Sequence, residues 1–513
     1  LRLGASSPGS SVIPAQRRTT AEHTASIQKC DTPGSPLGYH GCDYTRIQQG
    51  DFHVMRRWLC ILSLLGTLIS PAVAVAQKSA VPAPGPMALQ VRSEFLYAWN
   101  AYKQYAWGHD ELTPLSKGHH DWHSKSLLMT PVDAMDTMII MGLTDEADKT
   151  REFIATNLSF DQDIEVKNFE ITIRLLGGLL SSYQMTGDHR LLDLADNLGN
   201  RLLPIFNSPT GMPYMFVNLK TGKTRGAESN PAEIGTLLLE FGTLSKLTGK
   251  PIYYDKAKSA VVALYSRRSK IGLVGSTINV ETGQWIDATS HISGGIDSYY
   301  EYLLKSWLLF GDKDCKKMWE SSVKAVNKYL ADNTRNGLWY GQADMNTGKR
   351  TSTQYGALDA FFPAVLARSG DLDRARKLQE SSYKMWTTFG IEPETLDYTT
   401  MKVVSPGYQL RPEIIESAYY LSFYTKDDRY QEMGSTFLLS LVRYCKTDAG
   451  YAALSNVETK AKRDSMESYF LAETLKYLYL LFAPRETLDL NKVVFNTEAH
   501  PLRKTWSNQA KDF

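Results

Sequence analysis

The sequence predicts an all-α fold of seven helical hairpins, and three observations carry that prediction. Apolar runs of helix length recur along the chain, each is followed by a short turn marked by Gly or Asp, and each turn leads into a second helix with a clear polar face. The turns are Met141 to Asp145, Thr186 to Asp188, Thr248 to Lys250, Phe310 to Asp312, Ser369 to Asp371 and Thr425 to Asp428, and the last apolar run is Met466 to Phe482. First helices such as Leu175 to Leu180 and Tyr299 to Leu304 are apolar on most faces and belong inside, with their amphipathic partners outside. Their starts near Asp133, Glu170, Glu233, Asp297, Ala357, Glu413 and Glu467 are 37, 63, 64, 60, 56 and 54 residues apart, which suits one hairpin plus a connection. Seven such units form either an open solenoid or a closed ring.

The connections carry strand-turn-strand text, at Ser276 to Trp285 and again at Gly337 to Gly348, which reads as short β-hairpins decorating the helical body. A last segment of this kind, Lys492 to His500, follows the seventh first-type helix.

The 513 residues are 43% hydrophobic and 22% charged, enough for a large core. A net charge of +2 is close to neutral and gives no sign of the electrostatic footprint of a nucleic-acid binder, so an uncharged or small partner is expected. Residues 1–54 show no apolar periodicity and are read as lying outside the mature protein. Residues 55–76 have the layout of an export signal: Met55-Arg56-Arg57, an apolar run from Leu59 to Ile69, then small residues up to Ala76. The run is too short to span a bilayer comfortably. Removal of residues 1–76 takes away seven Lys/Arg and four Asp/Glu, brings the net charge to −1 and leaves only Cys315 and Cys445. Residues 77–90 read as a Pro/Ala linker and 91–513 as one catalytic domain. The expected location is secreted or periplasmic, with no membrane span after cleavage and a monomeric state; the short signal and scarce cysteines favour a bacterial periplasm.

Acidic residues stand at or near the starts of most first helices: Asp133, Glu170, Glu233, Asp297, Glu413 and Glu467. Capping explains some of them, since Thr130-Pro131-Val132-Asp133 and Asn230-Pro231-Ala232-Glu233 place a cap, a proline and an acid against the helix dipole. Capping does not explain the set. Glu170 follows Phe169 in an apolar run and Asp297 precedes Ser298-Tyr299-Tyr300, so each is costly to bury without a task. Arg174 lies four residues after Glu170, Glu416 three after Glu413, and Glu467 and Glu473 straddle Tyr469. In a ring of parallel first helices these carboxylates converge on one cavity. Carboxylates beside aromatic rings are what glycoside hydrolysis needs, one acid for the departing oxygen and one base for water, and surplus carboxylates suit a hard cation.

These segments resemble glycoside hydrolase family 47, the class I α-mannosidases. The resemblance rests on His109 to Ser116, Val132 to Thr137, Phe169 to Arg174, Ala232 to Thr236, Asp297 to Tyr302, Leu410 to Ser417, Met466 to Ser468 with Ala472 to Thr474, and Phe495 to Pro501, in that order. It implies an (α/α)7 barrel plugged by a C-terminal hairpin, and an inverting, exo-acting α-1,2-mannosidase for α-mannosides or high-mannose oligosaccharides. It also implies a Ca2+ ion held by Thr497, with Glu473 and Glu498 ordering waters around it. Glu170 takes the position of the general acid and Glu413 that of the general base. Asp297 is the third catalytic carboxylate, as alternative acid or support, while Arg174, Glu233, Glu394, Glu416 and Tyr469 line the sugar pocket.

The chain departs from the family at Ala357 to Pro363, where many members carry a His-Leu motif and a disulfide cysteine. It departs again at Gly295, where some members use a bulky residue to choose a glycan branch, so loose branch preference is expected. Two other readings remain: a glycan-binding protein without turnover, and an α-glycosidase for another sugar.

Overall fold

The computed structural model describes residues 82–504, so the segments read as non-mature sequence and export signal lie outside the described residues. Fourteen helical staves form two concentric rings. The chain enters through α1 (Pro86–Tyr105) and then alternates inner and outer staves. These are α2 (Met129–Ile140) with α3 (Thr144–Asn157), α4 and α5 (Asn168–Ile171, Gly177–Thr186) with α6 (His189–Leu202), and α7 and α8 (Pro231–Gly235, Leu238–Thr248) with α9 (Pro251–Ser266). The series continues with α10 (Asp297–Phe310) and α11 (Lys313–Tyr329), α12 (Phe362–Ser369) and α13 (Leu372–Phe389), and α14 (Glu413–Thr425) and α15 (Arg429–Tyr444). It ends on α16 (Leu475–Phe482).

Inner staves are buried on nearly every face: eight consecutive residues of α14, Ile414 to Leu421, are buried. Outer ones bury a single stripe, as in α6 with Leu191, Ala195, Leu198 and Leu202. The seventh outer stave comes from an unexpected place, since α16 is partnered by α1 and the first helix of the chain closes the ring. It does so with Val91, Phe95, Ala98, Trp99 and Tyr102, all buried. Its first residue, Pro86, falls inside the stretch read as a linker.

Antiparallel strands stitch neighbouring hairpins together. Glu165–Lys167, which leads into α4, pairs with Phe216–Asn218 of the next connection, and Glu228–Ser229, which leads into α7, pairs with Thr277–Asn279. Thr289–Ser290 with Gln342–Asp344, and Gln354–Gly356 with Thr395–Asp397, repeat the arrangement before α10 and α12. Bridges from Tyr408 to Leu454 and from Leu112 to Met466 complete the circuit. The architecture is an (α/α)7 barrel, and the strands mark the end at which the inner helices begin.

The hairpin expected at Ser276 to Trp285 forms, as Thr277–Asn279 with Trp285–Asp287. The one expected at Gly337 to Gly348 does not form as a unit. Gly337–Tyr340 pairs backwards with Ala331–Thr334, whereas Gln342–Asp344 pairs forwards with Arg350–Ser352, so the text is divided between two sheets. Cys315 and Cys445 are both buried and free.

The C-terminal hairpin, Val493–Phe495 with Pro501–Arg503, is buried throughout and drives its turn into the barrel. Two glycines admit it. A Cβ at Gly177 would lie 2.5 Å from Asn496 Nδ2, and one at Gly178 would lie 2.8 Å from Val132 Cγ1 and 3.2 Å from His500 Cε1. Asn496 then organises the turn. Its Nδ2 donates to the Ile173 carbonyl and to Glu240 Oε1, both at 2.8 Å, and its Oδ1 accepts from the backbone N–H groups of Glu498 and His500.

Candidate active site

Because the stitching strands end where the inner helices start, first-turn side chains of several inner staves open on one cavity of about 280 Å³. Glu170 and Arg174 enter from α4 and the turn after it, Glu233 from α7, Asp297 and Glu301 from α10, and Glu413 and Glu416 from α14. Tyr469 and Glu473 enter from the last inner stave, and Thr497 and Glu498 from the plug. Phe169, Leu358 and Phe361 supply apolar wall.

Ten of the eleven residues assigned to the site from sequence therefore meet around one space. The eleventh, Glu394, does not line it. Its carboxylate is held by Arg411, with Nη2 at 3.1 Å, and by the Gln409 N–H at 3.1 Å, so it orients an arginine that does reach the cavity. Asp133 and Glu467 also fail to open on the space. Asp133 is fully buried below it, accepting from Ser468 Oγ and lying 3.3 Å from His500 Nε2. It is no helix cap, because α2 starts at Met129 and the Thr130 hydroxyl donates instead to the Asp110 carbonyl. Glu467 borders a separate groove with Glu111 and His119. At Asn230 the capping geometry does hold: its side chain accepts from the Glu233 N–H at 3.0 Å while the Glu233 carboxylate points to the cavity.

Two stretches of inner stave depart from α geometry, Thr172–Leu176 and Phe470–Thr474, which wind as single π-turns. Each carries a charged residue into the cavity, Arg174 in one and Glu473 in the other. A π-turn inserts a residue into the helical register and re-aims the side chains around it, and such turns concentrate at functional sites.

Arg174 is the hub. Its Nε donates to Glu170 Oε2 at 3.1 Å, Nη1 pairs with Glu498 and lies 3.5 Å from Asp133 Oδ2, and the guanidinium sits 5.3 Å from the Tyr469 ring and 5.4 Å from that of Trp122. Burial works against its charge, but Glu498, Glu170, Asp133 and Glu473 together hold its pKa well above the ordinary arginine value. Lys167, a residue the sequence reading missed, pairs with Glu233 Oε1 at 2.7 Å and lies 3.9 Å from Glu170 Oε1. It sits at the end of a three-residue strand, too short to show a pattern.

Burial raises the carboxylates here. Asp297 and Glu413 are pushed up to about 7, by burial first, with the Ser298 N–H and Arg411 respectively pulling back. Glu233 also reaches about 7 by burial against the pull of Lys167, and Glu416 about 8 by burial against that of Lys305. Glu498 reaches about 8 despite Arg174, and burial with Glu498, Glu413 and Glu416 around it drives Glu473 well up. Glu413 Oε2 is buried without a hydrogen-bond partner. Glu392, two residues before Glu394 in the chain, is wholly buried with neither carboxylate oxygen bonded. So many mutually repelling oxygens beside Thr497 suit a hard divalent cation, which takes oxygen ligands and favours the ionised forms.

Comparison with known proteins fits this geometry. The profile of Glycosyl hydrolase family 47 matches residues 94–504. The chain belongs to that family. Among family 47 relatives, Alpha-mannosidase I MNS5 of Arabidopsis thaliana is 37% identical over 484 residues, covering 88% of this chain and 82% of the relative. The human mannosyl-oligosaccharide 1,2-alpha-mannosidase IB is 36% identical, covering 80% and 69%. The human ER degradation-enhancing alpha-mannosidase-like protein 2 is 37% identical, covering 82% and 78%. Of solved structures, the alpha-1,2-mannosidase from Trichoderma reesei superposes with a TM-score of 0.76 at 29% identity, over 83% of this chain and all of that one.

The family 47 resemblance also assigned Gly295 to branch choice. A Cβ at this position would touch only Asn230, at 3.7 to 3.9 Å, which is ordinary van der Waals contact. Its φ of +91° nevertheless calls for glycine on backbone grounds alone. A Gly295→Arg exchange therefore perturbs the backbone as well as the pocket, and does not isolate glycan choice.

Proposed function

We propose that the chain is an inverting, exo-acting α-1,2-mannosidase that removes terminal α-1,2-linked mannose with a bound Ca2+ ion, exported and acting as a monomer on high-mannose oligosaccharides. The observation that carries the reading is the meeting of Glu170, Asp297 and Glu413 with Thr497 of the plug around one cavity.

In this reading Thr497 would hold the cation, with Glu473 and Glu498 ordering waters around it and Glu416 lining the sugar pocket; the cation would supply Lewis-acid binding of the terminal mannose. Glu413 takes the proton of the attacking water, and a pKa near 7 suits a base working close to neutrality. Glu170, held by Arg174 and exposed on one edge, gives a proton to the departing oxygen directly or through water. Asp297 serves as the alternative acid or as support. Phe361 and Leu358 pack against the sugar and exclude water.

The test is a panel of α-linked disaccharides with the product anomer followed by NMR. Cleavage of α-1,2-mannobiose to β-mannose, lost with EDTA and with Glu413→Gln, is the expected result. Binding without turnover would establish the glycan-binding alternative, and turnover of a different α-linked sugar would establish the other glycosidase. Export is checked by the N-terminus of the mature protein, and the monomer by light scattering.

A further inference from the structure

The hairpin beside the cavity mouth carries a second cluster of ligating side chains, outside the proposed sugar site and independent of it. Its strands are Glu111–Thr113 and Gly118–His120, joined in register Leu112 to His119. His109 precedes the first strand, His119 lies in the second and Asp121 follows it.

One ligating atom from each of these three lies within 4.8 Å of the other two. The His109 and His119 rings are parallel within 14°, with centroids 3.4 Å apart. Stacked face to face, the two rings aim their in-plane nitrogen lone pairs along parallel directions, so both bind one ion only once the His119 ring has turned out of the stack. His119 is exposed and free to turn, while the other two are anchored. Asp121 Oδ2 lies 2.9 Å from His109 Nδ1, and its Oδ1 accepts from the Asp110 N–H at 2.9 Å. The His109 carbonyl accepts from Tyr102 OH at 2.7 Å. The Asp110 carboxylate clamps the following loop through the N–H groups of Trp122 and Leu127. This is the support that keeps first ligands oriented in metal sites.

We propose that His109, His119 and Asp121 bind one divalent transition-metal ion of the zinc and copper class, with water in the remaining position. Two imidazoles and one carboxylate select borderline ions over Ca2+, which takes oxygen donors. On binding, the ion takes the lone pair of one ring nitrogen of each histidine, and the imidazole proton stays on the other nitrogen. The ion ties the hairpin to the loop of Trp122, whose ring lies over Arg174. Occupancy therefore stiffens one wall beside the sugar site without entering it.

The experiment is calorimetric titration of the untagged, Ca2+-saturated protein with Zn2+ and separately Cu2+, alongside thermal unfolding. One saturable ion per chain is expected, with Zn2+ raising the unfolding temperature. Affinity should fall by more than about tenfold in both His119→Ala and Asp121→Asn and stay unchanged in His120→Ala, an exposed neighbour outside the cluster. Circular dichroism confirms that each variant is folded, and Asp121→Asn keeps the acceptor for the Asp110 N–H. Absence of saturable uptake, unchanged affinity in His119→Ala, or equal loss in His120→Ala would each overturn the proposal.

Discussion

At the scale of single residues, the site depends on a few groups whose replacements have separable effects. Glu413→Gln keeps the shape of the side chain but removes the base, and a drop of about 10²- to 10⁴-fold in kcat with little change in KM is expected from steady-state kinetics on α-1,2-mannobiose. Arg174→Lys is no conservative exchange. One ammonium cannot reach Glu170, Glu498 and Asp133 at once, nor stack on Tyr469 as the planar guanidinium does. We expect a loss of roughly 10- to 100-fold in kcat/KM, measured on a protein whose circular dichroism is unchanged. Glu170 and Asp297 stood out because an acid in an apolar helical run is costly without a task, and Glu413 as one of the acids that recur at the starts of the first helices. Asp133, Glu394 and Glu467 were misjudged for a related reason: sequence gives a residue's position along the chain but not the direction its side chain takes once neighbouring elements pack.

At the scale of elements, the plug and the glycines that admit it form one device. Gly177→Ala places a Cβ 2.5 Å from Asn496 Nδ2, which also bonds Ile173 and Glu240, so the whole turn must shift. Overpacking of this kind costs about 1–3 kcal/mol. A lower unfolding temperature together with weaker protection by Ca2+ is expected in a thermal shift assay. The seven inner helices were readable from their turns, while closure of the ring came only with the family resemblance; the C-terminal hairpin was readable as strand-turn text, but its second strand, Pro501–Arg503, lies just past the segment read, 492–500. Neither π-turn was readable, because an extra residue in a helix changes neither composition nor polarity, only which residues stand above one another. The division of residues 337–348 between two sheets was hidden because each strand pairs with a segment just outside that stretch, Ala331–Thr334 on one side and Arg350–Ser352 on the other.

At the scale of the whole molecule, the concentration of raised carboxylates makes stability depend on pH in a defined direction. Glu233, Glu413 and Asp297 titrate near 7, and Glu416 and Glu498 near 8, in the folded protein, against ordinary values near 4 to 4.5 when unfolded. The native state thus holds more protons than the unfolded state between those limits, and stability falls as pH rises through 7 to 8. His500, raised to about 9 by Asp136 and Asp133 against its burial, acts in the same direction. In chelator-treated protein the unfolding temperature should decrease from pH 6.5 to 8.5, and added Ca2+ should recover more of it at the higher pH; a flat profile would count against the ionisation pattern. Ring closure supplies a second molecular prediction. Removing residues 86–105 strips Val91, Phe95, Trp99 and Tyr102 from α16, and insoluble protein is expected on expression.

The two π-turns have a consequence for the arithmetic of the chain. Each is a helix with one residue too many, so deleting a single residue within 172–176 lets an ordinary helix close across the gap. Everything on one side then rotates by about 100° relative to the other. A molecule altered in this way can keep Leu179 and Leu180 in their sockets or keep Glu170 aimed inward, but not both, and the surplus residue is what lets one continuous rod serve the core and the chemistry together.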